Sequence, residues 1–298
     1  MNISIRKPNK QEYEYAAKEL WHICFEEEGS AFVDYYFEHR TSAENVLAAF
    51  LPDGEMIGMM HILPYTVSFY GVLKKGSMVA GVATHPNHRK KGICRALFEE
   101  AGVLMRENGY VFSMHQPFDA RFYEQFGYKV FSLRERFEAE AADTGEESDS
   151  NIKLYELNAE KMLSIYERYA QKYNGMMART LEDCELFLKE LETYNGKAVM
   201  TNDAYALYAK DSKTAVITEI AGENMCALIN VLLRENDRIK LDLPLDAKCE
   251  IKGKYSKKRI EFNMLRIEDK ERFFEGLQCR DEEKINGDIY MNYSMESY

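Results

Sequence analysis

A strand, a basic loop and an amphipathic helix follow one another directly between residues 77 and 108. The run "SMVAGVAT" has the small and β-branched residues of a buried strand. Apolar positions then recur at helical spacing, at Ile93, Leu97, Ala101 and Leu104. The helix is predicted from Gly92 to Asn108, with Gly109 as its terminator. A strand that leads into a helix in this way favours α/β or α+β folds.

The order strand, strand, helix, strand occurs twice along the chain. In the first half, "NVLAAFL", "MIGMMHILPYTVSFY" and "SMVAGVAT" precede the helix, and "YVFSMH" follows it. In the second half, "AYALYAK" and "TAVITEI" precede a helix near Asn224 to Arg234, and "RIKLDLP", "CEIKGKY" and "RIEFNMLRI" follow it, with "KGKYSKKR" as a hairpin tip. We therefore expect two α/β (α+β) units, each a mixed, mostly antiparallel sheet flanked by helices.

The boundary between the halves is predicted from composition. The most polar stretch, "EAEAADTGEESDSN", spans Glu138 to Asn151 and has few bulky apolar residues, as linkers do. The 298 residues also exceed what one hydrophobic core usually supports. We expect a first domain at 1–140, an acidic linker at 141–151 and a second domain at 152–298, which ends in a short extension.

Charge and cysteine usage exclude several classes of protein. A formal net charge of −11 argues against nucleic-acid binding and suits a cationic small substrate. No apolar run reaches the roughly 18 residues of a membrane span. Six cysteines are scattered, without a C-x-x-C pair or metal-ligand spacing, which favours reduced thiols, no metal and a cytoplasmic location.

The basic loop predicts an anion site. The first backbone N–H groups of a helix have no intrahelical partner, and they carry a partial positive charge. A glycine at that point lets a bulky anion approach the backbone, and Arg89, Lys90 and Lys91 add mobile charge. Together these features indicate a phosphate or pyrophosphate site. A solvated basic loop is the alternative.

Two motifs resemble those of a known family. The pattern R-x-x-G-x-(small) between strand and helix resembles the acetyl-CoA loop of the GCN5-related N-acetyltransferases (GNAT). About twenty residues on, "QPFDARFYEQFGY" resembles the family's second signature, with Tyr123, Gly127 and Tyr128 in its Y-x-x-x-G-[FY] positions. The resemblance covers residues 3–137.

A narrower resemblance is to the enhanced-intracellular-survival (Eis) branch of that family. It rests on "FDARFYEQFGY", the acidic linker and a second domain without its own R-x-x-G-x-G. It implies an active GNAT domain followed by a degenerate one, and this chain is too short for the branch's full third, sterol-carrier-like domain. Cys94 departs from the pattern, because Gly or Ala is usual there.

The resemblance implies where acetyl-CoA would bind. Its pantetheine arm would pair with the strand edge at Val82, Ala83 and Thr84. The remaining implied contacts come from the loop, the helix start and the second signature: Arg89, Lys90, Lys91, Gly92, Ile93, Cys94, Arg95, Gln116 and Phe118.

Amine acetylation needs an acid and a base. Tyr123, at the family's tyrosine position, is the expected general acid, because a tyrosine of pKa about 10 stays protonated at neutral pH. For the base, the resemblance implies the terminal carboxylate of Tyr298. His115 is a second candidate, and His61 is a weaker one.

The predicted activity is direct transfer of an acetyl group from acetyl-CoA to a primary amine of a small molecule or peptide. Glu26, Glu27 and Glu28 could attract a cationic acceptor, although a solvated acidic turn explains them equally well. The alternative is a non-catalytic acyl-CoA-binding or regulatory module. No nucleic-acid or membrane partner is expected, and homo-oligomerisation is left open.

Overall fold

The computed structural model describes residues 2–141 and 152–277, which fall into two compact units. The first unit runs to Phe131 and takes up the chain again at Asn263, and the second runs from Ser132 to Phe262. Each unit has a mixed, mostly antiparallel sheet with helices beside it, which is the predicted fold class.

The first unit begins with β1 (Ser4–Arg6), α1 (Lys18–Cys24), α2 (Ser30–Tyr35), β2 (Val46–Phe50), β3 (Met56–Phe69), β4 (Val72–Thr84), α3 (Ile93–Glu107), β5 (Phe112–His115) and α4 (Ala120–Glu124). π-Helical turns at Glu12–Ala17 and Tyr36–Arg40 adjoin α1 and α2. Strands β1 to β4 pair antiparallel in chain order, and β4 pairs parallel with β5. The acidic turn at Glu26, Glu27 and Glu28 lies between α1 and α2.

Strand β6 (Lys129–Ala141) passes from the first unit into the second. The second unit continues with β7 (Tyr155–Glu156), α5 (Ala159–Ala170), β8 (Met176–Met177), α6 (Leu181–Glu192), β9 (Lys197–Met200), β10 (Ala204–Asp211), β11 (Thr214–Gly222), α7 (Met225–Glu235) and β12 (Arg238–Pro244). Finally β13 (Gly253–Ile267) leads back to the first unit, where α8 (Lys270–Phe274) follows.

Specific backbone features determine where helix α3 begins and ends. Gly92 precedes it with φ +82°, a left-handed conformation that a glycine adopts without strain. At the other end the Tyr110 N–H donates to the Met105 carbonyl, and the Gly109 N–H donates to the Arg106 carbonyl. These two bonds form a Schellman motif, which satisfies the last carbonyls of the helix.

Strand β3 is buried at every position from Met56 to Leu63 because side chains cover both of its faces. On one face, Met60 and Ile62 pack with Leu97 of α3. On the other, the His61 ring lies 5.3 Å from the ring of Trp21 in α1. The first unit is therefore a three-layer arrangement.

The second unit repeats the parallel pair that a helix connects. In both units a strand, a helix and a parallel strand follow in order: β4, α3 and β5 in the first, and β11, α7 and β12 in the second. Leu228 and Leu232 of α7 pack on Ala206 and Ile217 in one core. This agrees with the twofold strand–helix order of the sequence.

The division into units differs from the predicted one at three places. The first unit ends at Phe131 rather than near 140, because β6 continues in the second unit, paired with β12. Residues 138–141 of the polar stretch, including the first residue of the predicted linker, belong to this strand, and residues 142–151 lie outside the described residues. From Asn263 the chain returns to the first unit, because Met264 pairs with His115 of β5.

Two local predictions are wrong. The stretch "KGKYSKKR" is not a hairpin tip, since its residues 253–259 lie within the continuous strand β13. Residues 249–252 of the predicted strand "CEIKGKY" precede β13 and are not part of a strand. Within residues 2–141 and 152–277, no helix has both the length and the apolarity to cross a bilayer.

Candidate functional site

Strands β4 and β5 separate at one end of their pairing. Their parallel register joins Ser77 to Ser113 and Met78 to Met114. Beyond Met78, β4 continues to Thr84 with no β5 partner in the register of the described residues. Val82, Ala83 and Thr84 lie on this stretch. Apart from the Thr84 carbonyl, which accepts from Arg89 Nε, the backbone groups of this stretch that face β5 are open to a ligand that binds like an added strand.

A β-bulge shapes the same stretch. His61 of β3 pairs with Ala80 and Met59 pairs with Ala83, so β4 carries one extra residue there. Gly81 lies in the bulge at φ +54°, and an added Cβ would come within 2.5 Å of the Trp21 ring. A glycine inside a strand pattern is the sequence signal for such a feature, but nothing local identifies Trp21 as its partner.

The loop between β4 and α3 forms a concave anion cradle. Lys90 and Gly92 both have positive φ, 61° and 82°. Left-handed residues next to a helix start turn successive N–H groups to one side. Among the residues that the structure describes, no side chain caps α3, and none has an atom within 4 Å of an added Cβ on Gly92. The first-turn amides of Ile93, Cys94 and Arg95 therefore border open space.

The cationic side chains of the loop differ in what they contact. Arg89 Nε donates to the Thr84 carbonyl at 3.2 Å, which closes the loop. Lys91 Nζ donates to the Asn87 carbonyl at 2.9 Å, and Arg95 Nη2 donates to Gln125 Oε1 at 2.7 Å. All these cations are solvent-exposed, as is Lys90, so they can exchange a neutral oxygen for an anion.

The side chain of Cys94 is partly buried. Its side chain packs against the core that contains Leu97 and Phe98, and burial raises the pKa of its thiol to about 11. The thiol is thus neutral at physiological pH. A half-buried neutral side chain at this position leaves its backbone N–H available, so the departure from Gly or Ala does not block the cradle.

Tyr123 lies in the same core as the loop and the strand edge. The cluster that contains Tyr123 also holds Phe98 of α3, with Val82 and Cys94 packed against it. Tyr123, the strand residue Val82 and Cys94 at the start of α3, which are predicted separately, therefore all contact the same hydrophobic core. Beside Tyr123 the ring of Phe118 is 78% exposed, with its centroid 5.5 Å away.

His115, at the end of β5, packs under Tyr123. Their ring centroids are 3.9 Å apart. Burial, with a smaller contribution from Arg266, lowers the pKa of His115 to about 3, so the imidazole is neutral at physiological pH. Neither of its ring nitrogens, nor Gln116 Oε1, has a hydrogen-bond partner among the described residues.

A buried polar network supports β5 from the side of β13. Ser113 Oγ lies 2.7 Å from the Tyr128 hydroxyl and 2.6 Å from Glu268 Oε1. Arg266 Nε donates to the same carboxylate oxygen at 2.6 Å, and Arg266 Nη1 donates to the Phe126 carbonyl at 3.0 Å. Sequence analysis missed Arg266 and Glu268 because it placed them in the second domain.

The acidic turn divides into exposed and anchored residues. Glu26 and Glu27 are exposed, and Glu26 borders an open groove of about 620 Å³ that Glu14 and Glu19 also line. Glu28 instead accepts a hydrogen bond from Trp21 Nε1 at 2.5 Å, and burial raises the pKa of its carboxyl. Glu28 is therefore held by the aromatic cluster.

Two further candidates do not lie in the described site. His61 is fully buried, with Nδ1 2.9 Å from the Tyr36 hydroxyl, and belongs to the core around Trp21. Tyr298 lies outside the described residues. Among residues 2–141 and 152–277, no group of three or more His, Cys, Asp or Glu side chains is arranged to hold a metal ion.

Comparison with known sequences identifies the first unit. Residues 4–131 match the family model described as an acetyltransferase (GNAT) domain. N-acetyltransferase Eis from Mycobacterium tuberculosis is 26% identical over 205 residues, which is 61% of this chain and 51% of that protein. The chain thus spans about half the length of the curated relatives it matches.

Solved structures share the fold of about nine tenths of this chain. A GCN5-related N-acetyltransferase from Anabaena variabilis superposes with a TM-score of 0.74 at 15% identity, over 90% of this chain and 73% of that one. Eis1 from Mycobacterium abscessus gives a TM-score of 0.69 at 19% identity, over 90% and 74% of the two chains. At these identities the likeness shows the fold alone.

Proposed function

We propose that this chain, whose residues 4–131 form a GNAT domain of the Eis-like branch, is an acetyl-CoA-dependent N-acetyltransferase. The observation that carries the proposal is the uncapped start of α3 beside the unpaired end of β4. Lys90 and Gly92 open the helix start to a diphosphate, and β4 offers an edge to an extended amide-containing arm. A CoA ester has both chemical features.

The residues of the cradle fit a pyrophosphate. The amides of Ile93, Cys94 and Arg95 would donate to its oxygens, and Lys90 and Lys91 would neutralise its charge. The helix dipole supplies about 0.3–2 kcal/mol, so the directed N–H bonds and the cations would provide most of the affinity.

The strand edge fits the rest of the cofactor. Val82 to Thr84 would hold the pantetheine amides, with Gln116 and Phe118 on the β5 side. Acetyl-CoA would supply the activated acetyl group as a thioester. The protein would bind it, orient it and move protons.

Proton transfer is the chemical task of the protein. An alkyl amine of pKa about 10.4 is almost entirely protonated at neutral pH and must lose a proton before it can attack. The departing CoA thiolate is a better leaving group when it receives a proton, and the hydroxyl of Tyr123 is the proposed proton donor. Its ring is packed between His115 and Phe118, which limits its movement.

The proposed base is either His115 or the Tyr298 carboxylate. A pKa of about 3 makes His115 a weak base, so its place under Tyr123 suits a positioning role better. The Tyr298 carboxylate, with an ordinary pKa of about 3.3–3.7, is no stronger as a base, and it is proposed on the family resemblance alone. The acceptor would be a primary amine on a small molecule or peptide, drawn towards the exposed Glu26 and Glu27.

A non-catalytic acyl-CoA-binding module is the second candidate. The depressed basicity of His115 is the observation that favours it, because a binding module needs no base. Both functions predict acetyl-CoA binding at the start of α3. Only the first predicts turnover.

Thiol release separates the two functions. The full chain is incubated with acetyl-CoA and a panel of polyamines, aminoglycosides and lysine peptides while free thiol is followed. Amine-dependent thiol release above the rate without protein supports the enzyme. Saturable acetyl-CoA binding without release by any amine supports the binding module, and absence of binding overturns both.

A further inference from the structure

Two free thiols meet at the start of α7 in the second unit. Cys226 is the second residue of α7, and Cys249 lies in the segment 245–252 between β12 and β13. The two side chains hydrogen-bond to each other, and Cys226 Sγ also lies 3.2 Å from the Lys248 carbonyl oxygen. Both residues are partly exposed, so a small solute can reach them.

The segment that carries Cys249 is held against α7. Asn230, one helical turn after Cys226 and itself buried, donates through Nδ2 to the Glu250 carbonyl at 3.0 Å. Its Oδ1 accepts from the Lys252 N–H at 2.8 Å. Ile251 is buried in the core that α7 also enters. These contacts therefore keep Cys249 next to Cys226.

The surroundings of Cys226 favour its thiolate. The Cys249 thiol hydrogen-bonds to it and the backbone N–H of Glu250 donates to it, and these contacts lower the pKa of Cys226 although partial burial raises it. The neutral Cys226 thiol donates to the Lys248 carbonyl, and this one contact is given up on deprotonation. The start of a helix acts in the same direction. The same contact raises the pKa of Cys249, which remains a thiol.

The other described cysteines have the opposite environment. Burial raises the pKa of Cys24, and it raises those of Cys94 and Cys184 to about 11 and about 12. Among the described residues, Cys226 is thus the one thiol that is both partly exposed and stabilised as an anion. Such thiols react first with electrophilic oxidants.

We propose that Cys226 and Cys249 form a peroxide-reactive dithiol site that closes to a disulfide. The Cys226 thiolate attacks one oxygen of hydrogen peroxide, the O–O bond breaks, and the leaving hydroxide takes a proton to become water. The resulting sulfenic acid is attacked by the Cys249 sulfur, the S–S bond forms, and a second water leaves with the Cys249 proton. Two thiols and one peroxide thus become one disulfide and two waters.

The test uses the full chain and hydrogen peroxide at neutral pH. Peptide mass spectrometry should find a linked pair containing Cys226 and Cys249, lighter by two hydrogens than the reduced peptides and separated again by dithiothreitol. In Cys249→Ser, which lacks the resolving thiol, dimedone should label Cys226 at least about tenfold more than Cys24 or Cys94. Cys24→Ser is the matched control and should still form the linked pair.

The order of reaction makes the proposal falsifiable. In Cys226→Ser, Cys249 should show little dimedone labelling, because the group that attacks peroxide is absent. Equal labelling of Cys249 in that variant would overturn the assignment of Cys226 as the reactive thiol. Absence of the linked pair in the unaltered chain, at a peroxide dose that labels Cys226 in Cys249→Ser, would overturn the site.

Discussion

The imidazole of His115 lies against the phenol ring of Tyr123, with centroids 3.9 Å apart and planes tilted by 47°. The two residues come from β5 and α4, which the chain joins by a short turn. Because the pKa of His115 is lowered to about 3, Tyr123 packs on an uncharged ring. This ring contact thus limits the positions that the Tyr123 phenol can adopt.

Removal of the Tyr123 hydroxyl should separate binding from turnover. Tyr123→Phe keeps the ring that packs on His115, so acetyl-CoA affinity should stay within about twofold, while kcat falls about 10²–10⁴-fold, the range for a general acid. Steady-state thiol release and calorimetry measure the two quantities. Tyr110→Phe, at the far end of α3, is the control. An unchanged kcat in Tyr123→Phe would remove this residue from the mechanism.

The start and the end of α3 offer a matched pair of glycines. Gly92 and Gly109 have φ of 82° and 72°, and neither has an atom within 4 Å of an added Cβ. Glutamate at either position therefore meets similar backbone strain, of about 1–2 kcal/mol. Only Gly92→Glu adds bulk and negative charge at the anion cradle, so it should weaken acetyl-CoA binding at least about tenfold. Equal affinities of the two variants by calorimetry would place the phosphate elsewhere.

The bulge of β4 should depend on the absence of a side chain at Gly81. In Gly81→Ala the new Cβ overlaps the Trp21 ring, which it approaches to 2.5 Å. We expect the free energy of unfolding to fall by about 1–3 kcal/mol. The fluorescence emission of Trp21, the single tryptophan, should also shift. Gly71→Ala is the control, because Gly71 has φ +80° but open space. If both variants lost similar stability, the glycine at position 81 would be needed for its positive φ and not to avoid contact with Trp21.

The sequence predicts features that local pattern determines. Helix α3, the glycines at its two ends and the strand before it all follow from residue spacing within residues 77–109. The cradle is therefore predictable, because one short segment builds it. Tyr123 is predictable for the same reason, since its motif is local.

Features that depend on distant pairing are not predictable in this way. Residues 256–259 of β13 are exposed and polar, so no alternation of apolar residues marks them as strand. The return of the chain to the first unit rests on pairs such as Met264 with His115, far apart in sequence. The contact of Gly81 with Trp21 likewise joins two separate segments.

Removal of one partner of a buried ion pair should strongly destabilise the second unit. Arg179 and Glu219 form two hydrogen bonds of 2.7 Å, both side chains are inaccessible, and the Tyr205 hydroxyl donates to the same carboxylate. Arg179→Met removes the cation that neutralises the buried Glu219 carboxylate, and it should lower the free energy of unfolding by about 3–5 kcal/mol. Hydrogen exchange of β11 and α6 amides reports this loss.

An exposed ion pair of the same unit is the control for Arg179. Lys213 lies 3.2 Å from Asp237, with 82% and 67% of the two side chains exposed. Lys213→Gln should change stability by about 0–1 kcal/mol. If Arg179→Met cost no more than this, Glu219 would have to be neutral or rehydrated in the variant.

The buried His61 should make the first unit less stable in mild acid. Burial lowers its pKa to about 3, whereas an unfolded histidine has a pKa of about 6.5. Between these values the unfolded chain binds a proton at this residue and the folded chain does not. The free energy of unfolding therefore falls as pH falls, by up to about 1.4 kcal/mol per pH unit, and it is fully retained above about pH 6.5. His115 adds a second contribution of the same sign.

Trp21 provides the measurement, because its ring lies 5.3 Å from that of His61 and reports the first unit alone. Urea unfolding followed by Trp21 fluorescence between about pH 7 and about pH 5 isolates the histidines from most carboxylates. His61→Gln should lower stability at every pH but reduce the slope against pH by about half, since His115 remains. His22→Gln, on the exposed face of α1, should keep the full slope. A slope unchanged in His61→Gln would show that this imidazole is protonated equally in the folded and unfolded chains.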